Sequence, residues 1–141
     1  MGNWLAQLRQ HIVGARLKAA QGARKPGAQA EDLAAAFLTR QGLKVLARNV
    51  RCRGGEVDLI ARDGDVLVFV EVRLRRNRDF GGAAATIGPA KQARVILAAR
   101  HWLATEGRRW QDAPCRLDAI LLSDLAPDAV EWLQGAFSDT P

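Results

Sequence analysis

Cysteine is scarce in this chain. Only Cys52 and Cys115 occur, far apart and without the paired spacing of a zinc site. That excludes a disulfide-built scaffold and fits two reduced thiols in a cytoplasmic protein. No apolar run reaches the ~18 residues that a membrane-spanning helix needs. The N-terminus also lacks the charged-then-apolar pattern and cleavage site of a secretory signal. There is no internal repeat and no low-complexity tract. Acidic residues are missing from the first 26 positions, although five basic ones stand there.

What is present is globular in composition. The 141 residues are 48% hydrophobic, enough for one domain with a real core. The formal charge is +6 and the isoelectric point about 10.3. Arg9, Arg16, Lys18, Arg24 and Lys25 supply five of those six charges, so the rest of the chain is nearly neutral. Its arginines are nonetheless clustered, at Arg48, Arg51, Arg53 and Arg62, then densely at Arg73, Arg75, Arg76 and Arg78. The acids concentrate late, from Asp112 to Asp139. A basic surplus arranged in this way points to an anionic partner, nucleic acid first.

Periodicity orders the chain. Trp4, Leu5, Leu8, Ile12, Val13 and Leu17 recur at helical spacing among basic residues. This is either a basic amphipathic helix for a membrane surface or nucleic acid, or an extension that docks elsewhere. Gln21 to Gly27 reads as a linker, giving a division into an extension and linker over 1–26, a domain over 27–135 and a flexible tail over 136–141. Residues 28–41 predict a helix with Leu33, Phe37 and Leu38 as its apolar stripe. Glu31 would sit in its first turn, where the helix dipole favours an acid. Strands follow at 43–50, 56–61 and 66–72, the last two joined by the turn signal Asp63-Gly64-Asp65. A glycine-rich loop over 77–88 leads to a helix over about 89–106, then a strand at 116–122 and a short last strand near 130–133. The order α-β-β-β-α-β predicts an α/β domain with a mixed central sheet flanked by helices.

Asp58 and Glu71 are charges inside apolar strands, where an unpartnered carboxylate is costly. Asp58 stands six residues before Gly64 and Glu71 seven after it, so the hairpin brings them to adjacent positions. Two carboxylates held together repel unless a cation lies between them, and oxygen ligands favour Mg²⁺ or Mn²⁺. Strand alternation puts Glu71, Arg73 and Arg75 on one face, and Glu56 with Asp58 on one face. Acids followed by arginines have the charge logic of a phosphodiester site. The alternative is that both acids form structural ion pairs with nearby arginines.

Several ordered motifs carry a resemblance. They are Gly54-Gly55-Glu56-Val57-Asp58-Leu59-Ile60-Ala61-Arg62-Asp63, Val68-Phe69-Val70-Glu71-Val72-Arg73, Arg48-Asn49-Val50-Arg51 and Pro114-Cys115-Arg116-Leu117-Asp118. Through them, residues 27 to 123 resemble the YraN (UPF0102) family. That family is similar to archaeal Holliday-junction resolvases and the PD-(D/E)xK nuclease superfamily, whose restriction-endonuclease-like core is αβββαβ. The resemblance implies a metal-dependent endonuclease acting on DNA (rather than RNA), including branched or damaged DNA. It implies Mg²⁺ or Mn²⁺ held by Glu31, Asp58 and Glu71, catalytic roles for Asp58, Glu71, Arg73, Lys91 and Gln92, and a homodimer as in junction-resolving relatives. Arg51, Arg53, Arg73, Arg75, Arg76 and Arg78 are the expected nucleic-acid contacts. The superfamily pattern has lysine where this chain has Arg73. Arginine steadies phosphate charge but cannot give up its proton to act as a base. Two readings therefore stay open: an endonuclease, and a non-catalytic nucleic-acid-binding protein of the same fold.

Overall fold

A computed structural model describes residues 24–75 and 87–137. In chain order these form α1 (Pro26–Arg40), β1 (Lys44–Cys52), β2 (Gly55–Asp63), β3 (Val66–Leu74), α2 (Pro89–Ala104), β4 (Cys115–Leu122) and β5 (Val130–Phe137). Short 3-10 turns, Arg108–Trp110 and Pro127–Ala129, precede the last two strands. The sheet order is β1-β2-β3-β4-β5. All neighbours are antiparallel except β3 and β4, which α2 joins as a parallel crossover. The predicted mixed sheet with flanking helices is therefore the observed one.

The sheet has a core on each side. Ala30, Ala34 and Leu38 of α1 pack on Leu59, Ala61, Val68, Val70, Ile120 and Leu122. Val95, Ala98, Ala99 and Trp102 of α2 pack on Val57, Ile60, Leu67, Phe69 and Leu117 of the other face. This explains the unbroken apolar run Val66–Val70: β3 is covered on both sides, so neither parity is free to be polar. The β1–β2 hairpin also lies hard against α2. A Cβ on Gly55 would stand 2.8 Å from Ala98 N and 2.9 Å from Arg94 O, so only glycine fits.

Four sequence expectations are corrected at element ends. Pro26 and Gly27 belong to the first turn of α1 and not to a linker, because proline at the start of a helix loses no hydrogen bond. Glu31 consequently lies in the second turn, with no acid in the first, so the helix dipole does not account for it. The second helix stops at Ala104, short of 106. The last strand runs on to Phe137, so residues 136 and 137 are sheet rather than tail. Gly135 permits this by adopting a φ of 61°, bending the strand while Phe137 pairs with Leu117. None of the helices among the described residues is long and apolar enough to cross a membrane. The basic segment 1–23 and the tail from 138 lie outside the described residues.

Candidate active site

The register of β2 and β3 runs from Asp63↔Val66 to Leu59↔Val70 and then stops. The turn is tight because Gly64 takes a φ of 58°. One step further, Asp58 faces Glu71, as counting out from Gly64 predicts. Here the strands cease to bond backbone to backbone. Val72 N donates instead to Asp58 Oδ2 at 2.8 Å. A side-chain carboxylate has taken the place of a ladder carbonyl, and the sheet opens beside it.

The opening has a cause on the other flank. Arg48 pairs with Leu59 and Val50 with Val57, which puts Asn49 opposite Asp58. Asn49 has a φ of 51°, the one left-handed non-glycine among the described residues. Asparagine tolerates that conformation better than almost any other L-residue. Alternation is interrupted at this point. Val57 packs into the α2 core, whereas Leu59, two residues on, packs into the α1 core. The expectation that Glu56 and Asp58 simply share a face does not survive this kink. The Asn49 side chain also opposes the rise that burial imposes on the Glu31 carboxyl. Sequence reasoning misses it as a functional position. The available signal is an asparagine, a residue depleted in strands, placed in the middle of one.

Charge at the site is unbalanced. Glu71 is 1% exposed and Asp58 6%. Glu71 Oε1 meets Lys91 Nζ of α2 at 3.0 Å. Its Oε2 is buried and accepts no hydrogen bond among the described residues. Burial, then repulsion from Asp58, pushes the Glu71 carboxyl up to about 7 against the pull of Lys91. Asp58 is likewise raised by burial, opposed by the Val72 bond. Glu31 is raised too, by burial and then by Asp58. A third buried acid in the same sheet makes the contrast. Asp118, fully buried, accepts from Arg116 Nε (2.9 Å) and Gly135 N (2.9 Å) at one oxygen, and from Arg116 (3.1 Å) and Trp132 Nε1 (2.9 Å) at the other. Asp118 is a satisfied structural carboxylate, while Glu71 is half satisfied.

The remaining expected residues fall as follows. Glu31 approaches Asp58 from α1 and lines a cleft of about 570 Å³ with Arg24, Lys25, Asn49 and Arg51. Among the described residues, no group of three acidic, histidine or cysteine side chains converges closely enough to hold a metal ion. Asp58 and Glu71 thus form a pair that Glu31 flanks. Arg73 follows Glu71 by two positions on β3 and shares its face by strand alternation. Arg75 lies just past the strand, its N–H donating to Leu122 O at 2.7 Å. Gln92 sits in the first turn of α2, and its amide donates to Ile87 O at 2.9 Å, holding the entry to the helix. Arg51 pairs with Glu56 at 3.8 Å, and Arg53 is exposed at the β1–β2 turn. Arg76 and Arg78 lie outside the described residues. The cation that Glu71 meets in α2 is thus a lysine.

These features define a mixed α/β protein whose sheet opens around a buried, incompletely satisfied carboxylate pair, with a lysine delivered by the crossover helix. The chain belongs to the family described as "Uncharacterised protein family UPF0102", whose model matches residues 30–122. The UPF0102 protein of Cupriavidus taiwanensis is 61% identical over 112 residues, covering 79% of this chain and 81% of that protein. That of Methylobacillus flagellatus is 54% identical over 112 residues, covering 79% and 96%. One from Nitrosomonas europaea is 52% identical over 115 residues, covering 81% and 94%.

Proposed function

We propose that this protein is a metal-dependent endonuclease acting on DNA, with Asp58 and Glu71 as its metal-binding carboxylates. The observation that carries the reading is Glu71 Oε2, a buried oxygen that accepts no hydrogen bond among the described residues, beside a second buried carboxylate. Such an arrangement is unfavourable by itself and is relieved by a cation. The donor set fits a hard divalent ion. Mg²⁺ is commonly held by one or two carboxylates, its other positions going to water and substrate phosphate. Asp58 and Glu71 would hold it, and Glu31 would act through a bound water. When bound, such an ion polarises the phosphoryl group and makes its water more acidic.

The chain's own cations supply the rest. Arg73 balances phosphate charge but cannot release a proton. Lys91 provides the amine that Arg73 lacks, from α2 and not from β3, and it orients Glu71 through their 3.0 Å contact. Gln92 fixes the start of α2 and so the place of Lys91. The relation of the fold to PD-(D/E)xK nucleases and archaeal junction resolvases is part of this proposal, as are branched or damaged DNA as substrate and a homodimeric assembly.

The test is incubation of labelled single-stranded, duplex, flap and four-way-junction DNA, and matched RNA, with Mg²⁺, Mn²⁺ or EDTA. Cleavage that needs the metal and disappears in Glu71→Ala supports the assignment. The presence of Arg73 favours a second reading, a nucleic-acid-binding protein without cleavage. Salt-sensitive binding retained in EDTA, with no product on any substrate, selects that reading instead.

A further inference from the structure

A second cluster of cations stands at the opposite end of the sheet from Asp58 and Glu71. Trp110, in the 3-10 turn after α2, has two guanidiniums over its indole. Arg109 Cζ is 5.2 Å and Arg62 Cζ 5.9 Å from the ring centroid. Lys44 of β1 pairs in register with Arg62 of β2. Six other described cations are paired with acids: Arg24 and Arg48 with Asp32, Arg51 and Arg94 with Glu56, Lys91 with Glu71 and Arg116 with Asp63 and Asp118, while Lys25, Arg40, Arg53 and Arg108 stand singly along the surface without an aromatic partner among the described residues. Among the described residues, Lys44, Arg62 and Arg109 have no carboxylate within ion-pair distance.

The physics of this cluster is specific. An aromatic face holds a guanidinium without consuming its N–H donors, so the donor edge remains available to an oxyanion. An ion pair with a carboxylate would consume that edge. The stacked geometry also lowers the entropy lost when a phosphate is gripped bidentately. Trp110 is itself only half-buried, seated at the rim of the α2 core.

The position relates the cluster to the carboxylates. Arg62 follows Asp58 by four residues on β2, ~13 Å at the rise of a strand, or about four base steps of duplex. It shares parity with Ile60, which packs under α2, the side from which Lys91 reaches Glu71. A groove of about 350 Å³ lies between β1 and α2. It is lined by Asn49 and Arg51 near the carboxylates and by His101 and Thr105 near the turn, with one acid, Glu106.

We infer that Arg62 and Arg109, ordered by Trp110, form with Lys44 across the β1–β2 pair a distal phosphate-binding patch for the DNA strand that enters the carboxylate site. This rests on the nucleic-acid part of the proposed function but not on cleavage. The patch contacts backbone phosphate, so it contributes affinity and position without sequence preference. Trp110 acts here as a positioning residue.

The test is binding of a labelled 30-mer duplex and single strand by the full chain in EDTA, between 50 and 200 mM salt. Arg62→Ala and Arg109→Ala should each weaken binding about three- to ten-fold and lower the salt slope by about one. Trp110→Leu keeps every charge, so it should weaken binding at least about three-fold with the slope unchanged, while Trp110→Phe restores most of it. Arg40→Ala, at the exposed end of α1, controls for net charge, and thermal melts control for folding. Patch variants that bind like the wild type, or no worse than Arg40→Ala, overturn the inference. So does a wild-type chain that binds no polynucleotide. Patch-sensitive binding without cleavage on any substrate upholds the patch and rejects the nuclease reading. Cleavage with patch-insensitive binding does the reverse.

Discussion

Replacing Glu71 by glutamine should make the metal-free protein more stable at alkaline pH. A carboxyl whose value rises from 4.5 in the unfolded chain to about 7 in the fold binds its proton more tightly when folded. It therefore favours the fold below 4.5, and that contribution is lost as pH rises through about 7. A tenfold change in proton affinity is worth about 1.36 kcal/mol, so the full loss is on the order of 3 kcal/mol, with roughly 2–3 kcal/mol falling between pH 5 and 8. Glutamine is nearly isosteric and carries no charge to titrate. Lys91 is 25% exposed at its side chain and can turn to solvent when Glu71 is gone. The difference in unfolding free energy between Glu71→Gln and wild type should thus increase by roughly 2–3 kcal/mol from pH 5 to pH 8 in EDTA, about 5–10 °C in Tm at the higher pH. Urea unfolding followed by tryptophan fluorescence at the two pH values reads it directly. Adding Mg²⁺ at pH 8 should stabilise the wild type and leave the variant unmoved. A difference that stays flat with pH, or a variant weaker than wild type at pH 8, would refute the account of Glu71 as a strained, half-satisfied carboxylate.

Three further outcomes test how the site is held. Asp118→Ala removes the acceptor of Arg116, Trp132 Nε1 and Gly135 N at once, and should cost about 3–5 kcal/mol in chemical denaturation. Gly55→Ala must push the β1–β2 hairpin off α2, where the new Cβ would stand 2.8 Å from Ala98 N. About 1–3 kcal/mol of lost stability is expected, read as a lower urea midpoint. At Asn49, glycine should be tolerated to within ~0.5 kcal/mol, while valine at φ 51° should cost about 1–3 kcal/mol and displace Asp58. If valine folds as well as glycine, the left-handed kink is not what opens the sheet.

Much of the architecture was legible in the residues. The unbroken apolar run of β3 announced a strand covered on both sides, and Gly64 set the register that brings Asp58 opposite Glu71. Those are local effects: side-chain period, turn chemistry and counting. The ends of elements were less legible. Gln134-Gly135 resembles a strand terminator, yet β5 continues because Gly135 N finds Asp118 across the sheet. Pro26-Gly27 resembles a linker, yet both residues belong to α1.

The site divides along the same line. Sequence alone singled out Asp58 and Glu71, because a charge within an apolar strand is costly wherever the chain goes, and it did not single out Asp118. It could not decide which of them would be satisfied. Asp118 and Glu71 look alike in their strands, and only the tertiary structure separates them. Arg116, Trp132 and Gly135, brought together by β4 and β5, complete the first, while among the described residues the second meets Lys91 of the crossover helix at one oxygen and no donor at the other. The patch at Trp110 has the same origin. Lys44, Arg62 and Arg109 come from three separated stretches, and their convergence depends on strand pairing and on the seating of the turn against the α2 core. Periodicity sets which face a residue occupies, but electrostatic balance is a property of neighbours in space, and neighbours far apart in the chain are decided by packing.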